Sequence, residues 1–208
     1  MFNLLLKFDV WLFYLINRKG QNGFFDAVMP FISNEKNFLI PLAICWLAMV
    51  LQKKRLRLRV AAFAVLAVIG LSEFVCSDVL KPAFGRLRPY HVISGVHVYD
   101  RMTGKWETTG KLEKIVKGRS QSFPSAHATN IFAAACFLTV YLPRGWPLFY
   151  LIALLVGYSR VYLGMHFPLD VVAGAVTGTL CALALVPPTN KIAAAIAGRQ
   201  TSGGPSED

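Results

Sequence analysis

The chain has 208 residues, of which 55% are hydrophobic and only 16% charged, and its formal net charge is +11. It is too apolar for an ordinary soluble domain and too short for two sizeable ones, so it reads as one membrane-embedded domain. The positive excess does not point to nucleic acid: it divides between a basic run, the polar clusters described below and one long loop, a distribution suited to lipid head groups.

In chain order, residues 3–16 are apolar apart from Lys7 and Asp9 and read as an amphipathic interfacial helix or a short, tilted first span. They lack a basic flank followed by a small-residue cleavage site, so a cleaved signal peptide is not expected. Residues 24–33 either lengthen the next segment or lie at the interface. A helix needs roughly 20 residues to cross the hydrocarbon core, and the apolar segments 38–51, 60–80, 126–142, 146–163 and 168–186 meet or approach that length. The expected fold is therefore all-α, an integral membrane helical bundle of five to six transmembrane helices with an N-terminal amphipathic or short first helix. One membrane-embedded unit is expected over residues 1–198, with a motif-bearing core at 73–178, a loop at 90–122, and a polar, disordered tail at 199–208.

Lys53, Lys54, Arg55, Arg57 and Arg59 crowd a short loop between two spans, and such runs stay on the cytoplasmic side. Counting spans from that loop places residues 81–89 outside, puts Arg144 in the cytoplasm and brings residues 159–170 outside again. Three polar clusters thus converge on one outer face: KPAFGRLRP (81–89), PSAH (124–127) and SRVYLGMHFPLD (159–170). The expected location is a plasma (inner) membrane of bacterial type, with the clusters facing the periplasm or cell exterior.

Each cluster carries chemistry. Glu73, Ser77 and Lys81 recur every four residues and share one helix face; Glu73 is expected to make a structural hydrogen bond. Lys81 supplies a point charge and Arg88 a planar fork for phosphate oxygens, whereas snorkelling to the interface would by itself account for Lys81 or Arg86. Ser125 follows Pro124 and precedes an apolar helical run, so it is placed as an N-cap beside free N–H groups that attract anions, with His127 in the first turn. No G-x-S-x-G turn surrounds Ser125, which argues against a serine hydrolase. In the third cluster Gly164 ends one span, Pro168 begins the next, and His166 lies in the hairpin between them. Asp170, four residues on, is within reach of the His166 ring as an orienting carboxylate, and Arg160 points back to the same spot.

The three strings K-x6-R-P, P-S-x-H and S-R-x5-H-x3-D, in this order, resemble the type-2 phosphatidic acid phosphatase superfamily, which also includes vanadium-dependent haloperoxidases and membrane lipid-phosphate phosphatases. The similarity runs from Glu73 to Gly178, and residues 9–33 also look like small bacterial members. Ala126 stands where the family usually carries Gly or Ser. The resemblance implies that His166 attacks phosphorus and forms a phosphohistidine, that Asp170 supports it, and that His127 protonates the leaving oxygen and later helps water in. It also implies that Lys81, Arg88, Ser125, Ala126, Arg160 and local backbone N–H groups hold the phosphoryl oxygens. With three side-chain cations in place, no metal and no other cofactor is expected.

The implied substrate is a membrane lipid phosphate or diphosphate: undecaprenyl diphosphate, phosphatidylglycerophosphate, phosphatidic acid or a lipid A phosphate. Phosphoryl or head-group transfer to another lipid, and non-catalytic lipid-phosphate binding or transport, are the competing readings. The loop at 90–122, with Arg101, Lys105, Lys111, Lys114, Lys117 and Arg119, suits a lid over an anionic head group or diphosphate, and equally a solvated loop whose charges serve solubility; His91 and His97 read as ordinary loop histidines. Cys45, Cys76, Cys136 and Cys181 lie in apolar spans and behave as small hydrophobes. Gly174 and Gly178 form a GxxxG expected to serve close helix packing; the oligomeric state is open.

Overall fold

The computed structural model describes residues 2–109 and 121–202. Lys111, Lys114, Lys117 and Arg119, and tail residues 203–208, lie outside the described residues. The chain is mostly helical: α1 (Phe2–Tyr14), α2 (Gly23–Ser33), α3 (Leu39–Val50), α4 (Leu56–Phe74), α5 (Lys81–Phe84), α6 (Pro89–Val92), α7 (Ala126–Tyr141), α8 (Trp146–Tyr162) and α9 (Pro168–Ser202).

A π-helical turn, Val75–Leu80, joins α4 to α5 without a break, so one helical stretch runs from Leu56 to Phe84. This stretch and Pro168–Arg199 are long and apolar enough to cross a membrane. The other helices are shorter: α2 and α7 are apolar but brief, and α3 covers only 12 residues. The last helix also runs past the expected end at residue 186 and through residues 199–202, which were expected to be disordered.

The all-α expectation is amended by an antiparallel hairpin, β1 (His97–Asp100) and β2 (Lys105–Thr108). Val98, Tyr99 and Trp106 favour extended chain, and Asp100 closes the turn with its own carboxylate. One oxygen accepts from the Met102 N–H at 2.8 Å, the other from the Thr103 hydroxyl at 2.9 Å, and Gly104 takes the left-handed φ of 69°.

Helix α7 is the centre of the bundle, packed against α4, α8 and α9. Its inward residues are small: Ala133, Cys136 and Ala182 of α9 meet Ala61, Val65 and Val68 of α4 around Phe137. In lipid there is no hydrophobic drive between helices, so close van der Waals approach over small side chains holds them together. Large apolar side chains point outward instead, among them Ile40 and Ile44 of α3, Leu151 and Leu154 of α8 and Leu180 of α9.

The GxxxG reading holds, within the chain. A Cβ on Gly174 would stand 2.6 Å from the Ser125 carbonyl oxygen, and one on Gly178 would collide with the Thr129 carbonyl. These two glycines let α9 press against the first turns of α7. Gly178→Ala is therefore expected to force the two backbones apart and lower the thermal unfolding temperature in detergent. Gly70→Ala, on α4 where nothing lies within 4 Å, should be neutral or slightly stabilising; equal behaviour of the two variants would contradict this packing.

Candidate active site

The turn between α8 and α9 sets the site. Gly164 has φ 75°, and a Cβ there would meet Val96 at 2.7 Å and the His97 carbonyl at 2.8 Å, so conformation and space both demand glycine. The reversed chain ties His166 back to Arg160: the N–H groups of Met165 and His166 donate to the Arg160 carbonyl at 3.1 and 3.2 Å.

Beyond the turn, α9 begins with a reciprocal cap. The Phe167 N–H donates to Asp170 Oδ2 at 2.8 Å, and the Leu169 N–H donates to Asp9 Oδ1 at 2.8 Å. Two carboxylates thus satisfy first-turn donors at the positive end of a helix. Both are buried, at 1% exposure for Asp9 and 0% for Asp170, and one guanidinium spans them. Arg86 donates from one terminal nitrogen to Asp9 Oδ2 at 2.6 Å and from the other to Asp170 Oδ1 at 2.7 Å, with its Cζ 4.2 Å from the Phe167 ring centre. Snorkelling is therefore not the role of Arg86. It points into the protein, because two buried anions outbid water for its fork.

His166 is held from beneath by the same group. Its Nδ1 lies 2.8 Å from the Ser122 carbonyl oxygen, while Asp170 Oδ2 stands 3.8 Å away. The Ser122 hydroxyl donates to Asp170 Oδ2 in a short hydrogen bond, and the Ser122 N–H donates to the Arg86 carbonyl at 2.6 Å. A carbonyl accepts only, so Nδ1 carries the proton and Nε2 keeps its lone pair. Burial pushes the His166 imidazole down to about 4, Asp170 offsets part of this, and Arg160 and Arg88 push the same way as burial. The ring is neutral at physiological pH.

Ser125 caps α7 as expected: its carbonyl accepts from the Thr129 N–H at 2.9 Å, and its hydroxyl faces the Ala128 N–H at 3.5 Å. Its own N–H donates to the Asp170 carbonyl at 2.9 Å, which locks the start of α7 to the start of α9. Ala126 opens the helix, and His127 in its first turn is an electrostatic neighbour of Arg160, His166 and Lys81. Arg88 lies against Met165, with 3.7 Å from guanidinium nitrogen to sulfur. Arg160, 4% exposed, donates to the Ser33 hydroxyl. The structure thus brings Lys81, Arg88, Ser125, His127, Arg160, His166 and Asp170 to one end of the bundle. Arg88 Nε, Arg160 Nε and His127 Nε2 are buried there without a hydrogen-bond partner among the described residues. Such atoms are rare in folded proteins and want a ligand. Glu73 makes the structural bonds expected of it, accepting from Ser77 at 2.6 Å and from Asn130 at 2.7 Å.

Sequence reasoning missed Ser122 and the polar residues of the N-terminal segment. Asn17 sends both amide hydrogens to carbonyls, His97 and Tyr162, each at 2.7 Å, and accepts from the His97 N–H at 2.9 Å. Asp26 accepts from the Tyr162 hydroxyl at 2.6 Å, and its carbonyl accepts from the Trp106 indole at 3.2 Å. Their signal was present: Asp9, Asn17, Asp26 and Ser33 interrupt an apolar stretch in which an unpaired polar group is costly. His97, expected in a loop, is instead the first residue of β1 and stacks on Trp106 with ring centres 4.1 Å apart.

The PAP2 superfamily pattern matches residues 61–192. Among known proteins, the chain is 33% identical over 120 residues to the lipid A 4'-phosphatase of Bacteroides thetaiotaomicron, covering 55% of this chain and 48% of that one. It is 29% identical to the undecaprenyl-diphosphatase of Sulfolobus acidocaldarius, covering 84% and 75% of the two chains. The chain therefore spans about half the length of the first of these relatives. Among solved structures, the transmembrane PAP2-type phosphatidylglycerolphosphate phosphatase of Bacillus subtilis superposes with a TM-score of 0.63 at 26% identity, covering 91% of this chain and 88% of that one. Aquifex aeolicus LpxE shares the fold, with a TM-score of 0.59 at 24% identity and coverage of 86% and 94%.

Two outcomes follow from this geometry. Arg86→Ala leaves two buried carboxylates facing each other and should cost about 3 kcal/mol; Arg86→Lys should not restore it, since a point charge cannot bridge both acids. Thermal unfolding in detergent reads both, and an unchanged midpoint for the alanine variant would refute the bridging role. In protein carrying 13C-histidine, which has four such residues, the resonance lost in His166→Ala should titrate near pH 4. The ring gains its charge only as pH falls through that value, so a midpoint near the ordinary 6.5 would contradict its burial.

Proposed function

The chain belongs to the PAP2 superfamily, and from that membership we propose that it is an integral membrane phosphatase that hydrolyses a lipid phosphate or diphosphate through a phosphohistidine on His166. Phosphatases of this family act on lipid phosphates, and the relatives named above are lipid A, undecaprenyl diphosphate and phosphatidylglycerolphosphate phosphatases. The observation that carries the reading is the His166 ring: neutral, buried, and anchored through Nδ1 so that Nε2 is the nucleophile.

In the proposed cycle Nε2 attacks phosphorus, the bond to the lipid oxygen breaks, and His127 gives that oxygen a proton. Water then loses a proton to His127 and attacks the phosphohistidine, which releases phosphate and restores His166. Lys81, Arg88, Arg160, Ser125 and the Ala126 backbone hold the equatorial oxygens, where charge spreads in the transition state. Asp170 acts through Ser122 and the cap of α9 to fix the ring. Because three side-chain cations neutralise the phosphoryl group, the proposal includes no metal requirement.

The same reading takes residues 1–198 as one membrane unit of five to six spans, with the site at the outer leaflet of a plasma membrane. The basic run at 53–59, retained in the cytoplasm, supports that orientation.

The test is phosphate release by detergent-purified protein, in EDTA, across lipid monophosphates and diphosphates. Wild-type protein should release phosphate, His166→Ala should lose at least about a thousandfold, and His127→Ala about a hundredfold or more. Lipid binding without release by wild-type protein would favour a binding or transport role, and activity abolished by EDTA would refute metal independence.

A further inference from the structure

A fourth cation reaches the site from the β-hairpin. Arg101 is the first residue of the turn after β1, and its guanidinium donates to the Ser33 carbonyl at 2.8 Å and to the Ser33 hydroxyl at 3.1 Å. That hydroxyl also accepts from Arg160. Two guanidinium groups therefore meet on one buried side chain. Like charges held together repel unless an anion joins them, and among the described residues no carboxylate lies within ion-pair distance of Arg101, Arg160, Arg88 or Lys81.

The position is built. Asn17 clamps β1 to the end of α8, the Trp106 indole pins β2 to Asp26, and Asp100 closes the turn that presents Arg101. Arg101 itself is exposed, while Arg160 is buried, so donors of Arg101 not spent on Ser33 remain accessible from outside. Arg101 is among the charges felt by both His127 and Arg160.

We propose that Arg101 binds the second phosphate of a lipid diphosphate, the phosphate that leaves with the lipid. This rests on the reading above, in which His127 faces the leaving oxygen. The terminal phosphorus forms its bond to His166 Nε2 as its bond to the bridging oxygen breaks. That oxygen departs on a lipid monophosphate, taking its proton from His127, and water later releases inorganic phosphate. A leaving group that is itself a phosphate carries more negative charge than a lipid alcohol, which gives the extra guanidinium something to hold. Three cations suffice for the transferred phosphoryl group; the fourth selects the diphosphate.

The experiment compares farnesyl diphosphate with farnesyl monophosphate, using wild-type protein, Arg101→Gln and Arg101→Lys. For Arg101→Gln, kcat/KM on the diphosphate should fall about 10- to 100-fold, the worth of a charge-assisted hydrogen bond, with less than about a threefold change on the monophosphate. Arg101→Lys should recover part of the loss. An equal loss on both substrates would mean that Arg101 only fixes the hairpin to Ser33, and no loss on the diphosphate would mean that it touches no substrate; either overturns the proposal. Wild-type protein that releases phosphate from neither compound would instead sink the phosphatase reading itself.

Discussion

Arg86 between Asp9 and Asp170 is the interaction on which the site depends. Two carboxylates buried side by side repel, and neither remains ionised in a dry interior without a cation and full hydrogen bonding. Here each carboxylate also accepts from a first-turn N–H of α9, so the guanidinium fixes the start of that helix as well. The effect continues through Ser122, whose N–H bonds to Arg86, whose hydroxyl bonds to Asp170 and whose carbonyl holds His166. The tautomer of the proposed nucleophile is thus decided by a backbone carbonyl that two ion pairs keep in place. The carboxylate's influence on the ring is mainly indirect, since it sits 3.8 Å away.

Packing in the bundle supplies the second half. The contact of α7 with α9 over Gly174 and Gly178 brings the Ser125 carbonyl region against α9, and the Ser125 N–H to Asp170 carbonyl bond sets the depth of that contact. Since α7 starts at Ala126, its free N–H groups and His127 open beside the α8 to α9 turn. Small residues therefore act on chemistry at one remove: they set how near one helix start lies to the next.

Much of this was legible in the sequence. Gly164, Pro168, His166 and Asp170 spelled a helix hairpin with a polar turn, and Ser125 behind Pro124 spelled an N-cap; local rules of conformation and capping suffice for both. Arg86 was not legible, because an arginine near a span end has an ordinary interfacial explanation and its partners lie 77 and 84 residues away in sequence. The same distance hid Asp9, whose bonds run to Arg86 and Leu169, and Ser33, whose partners are Arg101 and Arg160. The polar interruptions of the N-terminal stretch announced buried partners without naming them. The hairpin was masked by a basic loop composition, though Asp100 and Gly104 around short extended runs carried its turn signal.

The molecule keeps two populations of charge apart. Beneath the ring, Asp9, Arg86 and Asp170 neutralise one another and have nearly every lone pair engaged, so an anion arriving from outside finds nothing there to bind. Around the ring, Lys81, Arg88 and Arg160 have no carboxylate partner among the described residues, and buried nitrogens of Arg88 and Arg160 have no acceptor. Uncompensated cations in a partly dry site raise the free energy of the empty protein, and an anion that binds among them recovers that cost, as the proposed phosphoryl group would. Burial first, and Arg160 and Arg88 after it, keep the His166 ring unprotonated. Burial and charge together thus prepare the proposed anion site and the proposed nucleophile, and they can do so because Arg86 is committed to the acids below.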